Sequence, residues 1–319
     1  MSKLTKLLEI GFAGNSERSR IINKPSTKKI VGDKDYKALL KSDASESTTL
    51  IQEEVFRTIS EGAEPWKCMR DILPIINTDS YSVRIVKGET GSYADELAEG
   101  AKVPVDTQSY SKEDISIKKI GTRPLITNEL IEDGLFDVAE LELKKAGARI
   151  ENKLNRDAIL EVLTDASSNE TDPSSHIDVA TLAKARGEVA GNNYMPDTAI
   201  FHPTAEAYLL QDSNLVYASY AGGKGTLTSG NLPTILGLKP YTLSVSTGSD
   251  TYHWDGTDGS HHCNGVVLDS NANTYLAMRR DLTVEEYDDP IHDLVGISTT
   301  MRYGVSTIQA DAAELILAK

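Results

Sequence analysis

Between residues 127 and 163 the apolar positions Leu143, Ala146, Gly147, Ile150, Leu154 and Ala158 recur at the spacing of one helical face. Ile159, Val162 and Leu163 widen that stripe towards its end. The other side carries Glu140, Lys144, Lys145, Arg149, Lys153, Arg156 and Asp157, with Glu140 four residues ahead of Lys144 in the favourable order for a helical ion pair. No proline interrupts the segment. The pattern predicts a helix from about Leu135 to Leu163, roughly 40 Å long at about 1.5 Å per residue. A rod of that length, apolar on one face, suits a spine laid across a thin layer of protein; a long core helix in an ordinary α+β enzyme is the competing reading.

Upstream the period changes to two. Tyr81, Val83 and Ile85 alternate with Ser80, Ser82 and Arg84, and the return limb alternates again at Ile115 and Ile117. These predict two half-buried strands, separated by GETGSYADELAEGAKVPVDTQS, which is rich in glycine and poor in apolar residues. A hairpin that long buries too little to stand alone in water. It either folds back on its own body or lies on a neighbouring chain.

The rest of the chain alternates helices and strands. LIQEEVFRTISEGAEPWKCMRDILPII (50–76) predicts a helix broken before Pro65, followed by an apolar cluster of Trp66, Met69, Ile72 and Leu73. A polar break at 164–175 reads as a linker into a second domain. There 178–190 predicts a helix, 198–203 a short buried strand, 204–212 a helix entered after Pro203, and 236–245 a strand region. Residues 246–265 are a Gly/Ser/Asp-rich insertion that predicts an exposed hairpin, 265–290 give further strands, and 294–319 predict two strands joined around Gly304. Strands from both ends of the chain indicate an α+β fold rather than a βαβ series.

Charge then divides the molecule. The 319 residues carry a net charge of −15, which argues against the whole chain being a nucleic-acid binder. Residues 1–41, however, hold ten Lys or Arg against four acids, a net of +6, leaving −21 for the remainder. The first 49 residues read as a polar basic arm ending in SDASESTTL. No run of about 18 apolar residues is present, and Glu9 interrupts the apolar start, so neither a membrane span nor a signal peptide is expected. Cys68 and Cys263 are far apart in sequence and predict free thiols in a reducing compartment.

Taken in order, the segments RDILPII (70–76), ADELAEGAKVPVDTQSYSKEDISIKKIGTRPLITNELIED (94–133), ARIENKLNRDAIL (148–160), TAIFHPTAEAYLLQD (198–212), GTLTSGNLPTILGLKPYTLSV (225–245) and LAMRRDLTVEEYDDPIHDLVGISTTMRYGVSTIQADAAELI (276–316) resemble the major capsid proteins of tailed viruses, with the Hong Kong 97-like fold. The resemblance covers roughly residues 50–319. It implies an N-terminal arm (1–49), a peripheral domain with the spine helix (50–77, 118–175 and 291–319), an extended loop (78–117) and an axial domain (176–290). It further implies a protein of the virion, made in the host cytoplasm, that self-assembles through pentamers and hexamers into an icosahedral shell around double-stranded DNA. Scaffold, portal and decoration proteins are the expected further partners, and no membrane is expected. The extended loop would reach over an adjacent subunit, giving Tyr81, Val83, Ile85, Tyr93, Val103 and Val105 as candidate inter-subunit contacts. The arm would face the lumen, giving Arg18, Arg20, Lys24, Lys28 and Lys29 as candidate contacts to DNA or scaffold, since phosphate contacts need no base-reading geometry. Some relatives join subunits by an isopeptide bond; Lys87 or Lys102 offers the amine, without a matched acceptor and acid. An encapsulin-type compartment of the same fold is the alternative, and a soluble α+β hydrolase the distant one.

The remaining constellations point to no chemistry. His261, His262 and Cys263 are adjacent, with Asp255 and Asp258 nearby, whereas zinc ligands usually come from separated turns. The acids Glu285, Glu286, Asp288, Asp289 and Asp293 flank Pro290 with His292 and read as a solvated turn; DGTDG (255–259) lacks the pattern of a calcium loop. Gly222 to Thr226 lacks the glycine spacing of a phosphate loop. Ser229 and Ser244 have no nucleophile-elbow setting. No catalytic residue, metal or cofactor is expected.

Overall fold

The computed structural model describes residues 56–88, 96–97, 102, 110–127, 138–166, 170–171, 176–212, 215, 232, 234–248, 253–254, 262–289 and 294–317. The described chain is α+β and divides into two compact units, one including 56–67, 119–154 and 280–302, the other 68–118, 155–279 and 303–317.

In the first unit, helix α1 (residues 56–63) lies against the first half of the long helix. The contact is close because both partners are glycine. A Cβ on Gly62 would stand 2.3 Å from the Lys144 carbonyl oxygen, and one on Gly147 would stand 2.1 Å from that of Ile59. Ile59, Ala63, Leu143, Ala146, Ile150 and Leu154 are all buried. The long helix, α3 (Val138–Asp165), has 28 residues and is about 42 Å long. Its predicted apolar stripe is its buried face from Leu143 to Leu163, while Lys145, Arg149, Lys153 and Arg156 are exposed. The Glu140 side chain lies outside the described residues. The acid that organises this flank is Glu142, 2.9 Å from Lys145 Nζ and 3.4 Å from Arg149. Lys145 donates to it, and that hydrogen bond holds its carboxyl below the usual range.

The break at Pro65 is a 3-10 turn (Glu64–Trp66) with proline in its first positions, where the missing N–H costs nothing. Helix α2 (Cys68–Ile72) follows. Met69, Ile72 and Leu73 are buried as expected, whereas Trp66, in the 3-10 turn, is 40% exposed. Asn155 is also buried on α3, and its Oδ1 accepts from the Met69 N–H at 3.1 Å. That bond satisfies an orphan donor in the first turn of α2.

Among the described residues, one sheet runs β1 (Ile75–Asn77), β12 (Thr274–Asp289), β13 (Leu294–Thr307) and β4 (Lys118–Thr122), with β5 (Leu125–Thr127) also pairing with β13. β13 passes straight through Gly304, correcting the expectation of two strands joined there. The glycine serves close packing instead of a turn. A Cβ on it would meet the Ser116 carbonyl oxygen at 2.4 Å.

The second unit holds another sheet, ordered β6 (Glu170–Thr171), β14 (Ala313–Leu317), β11 (Cys263–Leu268), β7 (Thr198–Phe201) and β8 (Lys239–Thr242). β14 is buried and pairs antiparallel with β11, so the C-terminal strand joins the elements of the expected axial segment. Buried Thr171 donates to Glu314 at 2.8 Å across the parallel β6–β14 pair. Helix α4 (Val179–Gly191) is capped by Asp178, which accepts from the Thr181 N–H at 2.7 Å. Helix α5 (Pro203–Leu209) has proline in its first turn and His202 as N-cap. Leu182, Ala185, Val189, Ala205 and Leu209 from these helices pack with Phe201, Val267 and Ile316. The predicted strand over 236–245 is shorter, because Leu236 (φ 53°) and Gly237 (φ 83°) form a turn before β8.

Candidate inter-subunit surface

The predicted hairpin is β2 (Ser82–Gly88) paired antiparallel with β3 (Tyr110–Ser116), the two forming a sheet of their own. Strand alternation gives it two unlike faces. One face carries Val83, Ile85 and Lys87, all half-buried, with Ile115 opposite Val83 and fully buried. Ile115 and Ser116 fit against Gly304, so the root of the hairpin is anchored in its own unit.

The same root meets the last turns of α3. Tyr303 donates to Asp157 at 2.9 Å. Burial pushes the Glu161 carboxyl up, the neighbouring Asp165 adds to this, and Lys118 opposes it. Burial also raises Asp165, against a hydrogen bond from Thr307 and the charge of Lys87.

The second face is exposed along its whole length, and its cross-strand pairs are Arg84 with Asp114, Val86 with Lys112 and Gly88 with Tyr110. Arg84 donates to both Asp114 oxygens, at 2.7 and 2.9 Å, a two-point pairing that fixes the register. Those bonds hold the Asp114 carboxyl below the usual range and raise Arg84. The Tyr110 ring lies over Gly88, within 3.5 Å of where a Cβ would stand. Val86 and Tyr110 are 58% and 63% exposed, and Tyr81, just before the strand, 73%. Val86 and Tyr110 on this face, and Tyr81 just before β2, are thus large side chains left mostly exposed.

The candidate residues therefore separate. Tyr81 is an exposed residue at the root, outside the strand expected to half-bury it. Val83 and Ile85 face the hairpin's own unit. Tyr93, Val103 and Val105 lie outside the described residues, as do Arg18, Arg20, Lys24, Lys28 and Lys29. Sequence reasoning missed Val86 and Tyr110, although the signal was present: both are apolar residues on the polar phase of an alternating strand.

Among the described residues no group of three or more His, Cys, Asp or Glu is placed to hold a metal, and no helix is long and apolar enough to cross a membrane. Gly222 to Thr226, Ser229, Asp255, Asp258 and His261 lie outside them. Both cysteines are free thiols, and burial, with Asp71 adding, pushes Cys68 up to about 11.

A family model described as phage capsid protein matches residues 111–316, and one described as phage capsid family matches residues 48–160. The chain belongs to the phage capsid protein family. Its fold is similar to that in the capsid structure of cyanophage P-SCSP1u (TM-score 0.63, 14% identity, 78% of this chain and 87% of that one). It is also similar to the mature capsid of bacteriophage PhiM1 (TM-score 0.58, 13% identity, 78% and 86%). A virus-like particle from Pyrococcus furiosus has a TM-score of 0.56 at 18% identity, covering 83% and 98%. No curated protein matches the sequence. The fold is Hong Kong 97-like, and the chain is a major capsid protein, a structural component of the virion that assembles with itself into an icosahedral shell.

Proposed function

We propose that this shell encloses the double-stranded DNA genome of a tailed virus, that its subunits are made in the host cytoplasm, and that each grips its neighbour through the β2–β3 ribbon. One observation carries the last point: the ribbon is anchored at Ile115 yet exposes Val86 and Tyr110 on its other face. A second copy supplies the burial that face lacks, so seating of the ribbon and shell closure become one event. The basic arm, net +6 on an otherwise acidic chain, gives the lumen its affinity for phosphate or for an acidic scaffold. An encapsulin-type compartment has no need of such an arm, which favours the capsid reading over it. Expression of the full chain and of a variant lacking residues 1–41, followed by electron microscopy and nucleic-acid absorbance of the particles, tests the assignment. The truncation is expected to leave the body folded and to lower DNA retention or assembly fidelity. Unchanged packaging would remove the electrostatic role of the arm.

A further inference from the structure

One face of the sheet that holds β4, β13 and β12 gathers basic side chains. On β13 the residues Ile297, Thr299 and Met301 are buried, and Ser298, Thr300 and Arg302 alternate with them on the other face. Arg280 of β12 reaches that second face, since its guanidinium donates to Thr300 Oγ1 at 2.8 Å. Gly121 of β4 shares it, because a Cβ there would stand 2.9 Å from Thr300 Cγ2. Alternation along β4 puts Lys119 on the same face. Lys119 is exposed; Arg280 and Arg302 are half-buried, and the Nε of each is buried with no hydrogen-bond partner among the described residues. At positions 119–121, 280–284 and 298–302 this face carries no acid; Asp281 falls on the alternate phase and accepts from the Leu282 N–H at 2.7 Å. Guanidinium groups withdrawn from water in this way are costly unless an anion meets them. By contrast, the strands of the second unit's sheet bear one Lys or Arg, Lys239, and the pair β9 (Thr247–Gly248) and β10 (His253–Trp254) bears none.

We propose that this face is a receptor for carboxylates of a second copy of the chain, supplied by the acidic end of that copy's β12 at Glu285, Glu286, Asp288 and Asp289. Only Tyr287 interrupts the acids from Glu285 to Asp289, and Glu285 is exposed. They cannot serve the basic face of their own chain. β12 is one continuous strand, so at about 3.3 Å per residue Glu285 stands about 16 Å from Arg280, and Asp289 about 30 Å. Salt couples surface charges over only about 8 Å. Receptor and ligand therefore sit far apart on one strand. A copy that offers its acidic end to one neighbour keeps its basic face for another, the head-to-tail contact that closes rings. Arginine grips a carboxylate through two N–H groups, so Arg280, steadied by Thr300, and Arg302 supply geometry as well as charge. Outside residues 1–41 the chain carries −21, a field that disfavours the dense phosphates of nucleic acid at this patch. A neighbour in the shell is instead held at high effective concentration. This contact rests on self-assembly and is independent of the β2–β3 ribbon.

The test is assembly of the full-length chain, with particle yield by sedimentation and circular dichroism to establish folding. Arg280→Glu with Arg302→Glu, and separately Glu285→Lys with Glu286→Lys, are each expected to lower the yield of closed particles about tenfold. All four changes in one chain exchange the charges and are expected to restore most of that yield. Cryo-electron microscopy of wild-type particles, which needs no variant to fold, is expected to place a carboxylate of an adjacent copy within about 4 Å of the Arg280 or Arg302 guanidinium. The variants leave Val86 and Tyr110 untouched, so failure of this contact is read separately from failure of the ribbon. Wild-type yield in either charge-reversed pair, no recovery in a folded fourfold variant, or phosphate or solvent in place of a carboxylate at both arginines would each overturn the receptor.

Discussion

Replacing Gly147 by alanine adds one methyl group where α1 and α3 touch. Its Cβ would stand 2.1 Å from the Ile59 carbonyl oxygen and 3.1 Å from the Ala63 nitrogen, while real Cβ atoms essentially never come within 3.0 Å. Both neighbours are backbone, so no rotamer can yield; the helices must separate by about 1 Å. Overpacking of this kind costs about 1–3 kcal/mol. Against it, alanine improves on glycine inside a helix by about 1 kcal/mol. The net is a loss of up to about 2 kcal/mol, with the larger consequence that α1 shifts on the spine. Gly187 in α4 isolates the second term, since it is exposed and a Cβ there meets nothing within 4 Å. Denaturant unfolding of dissociated subunits, with particle yield by sedimentation, separates the two. Gly187→Ala is expected to stabilise by about 0.5–1 kcal/mol and to assemble normally. Gly147→Ala is expected to destabilise and to lower the yield of closed particles. Equal stability of the two variants would refute the close helix contact.

Three further outcomes follow from the same geometry. Tyr110→Ser with Val86→Ser is expected to leave subunit unfolding within about 0.5 kcal/mol of wild type, because both positions are exposed, while closed particles are lost. Glu161 and Asp165 have folded-state pKa values raised chiefly by burial, so the native state binds more protons than the unfolded one between the two values. Their ionisation therefore removes stability as pH rises through the raised pKa, and Glu161→Gln is expected to raise Tm slightly at pH 7 and not at pH 4. A larger gain at pH 4 would reverse that sign. With its pKa pushed up to about 11, the Cys68 thiol is expected to alkylate at pH 8 far more slowly than free cysteine, by mass-spectrometric time course.

Periodicity made the spine legible because the buried face of α3 is mainly apolar and its contact with α1 is closed by a glycine on each helix, Gly147 on α3 and Gly62 on α1. It did not reveal Asn155 or Glu151, both buried on the same helix, since a polar residue inside a core is decided by a distant partner such as the Met69 N–H. The role of Gly304 is hidden for the same reason. A glycine in an alternating run signals either a turn or a close approach, and only the Ser116 carbonyl decides which. Trp66 and Tyr81 are expected to be buried on hydrophobicity alone, yet they sit in a 3-10 turn and just before a strand and are exposed. The exposed pair Val86 and Tyr110 was readable in principle, as large side chains on the polar phase of β2 and β3. Hydrophobic residues in strands are ordinarily assigned to the protein's own core, which hid them.

Cryo-electron microscopy of the assembled particle tests most directly whether the outer face of the β2–β3 ribbon is an inter-subunit surface. Val86 and Tyr110 are expected to be buried against an adjacent copy, with Ile115 still seated at Gly304 of its own chain. A closed shell in which that face remains in solvent would contradict the account.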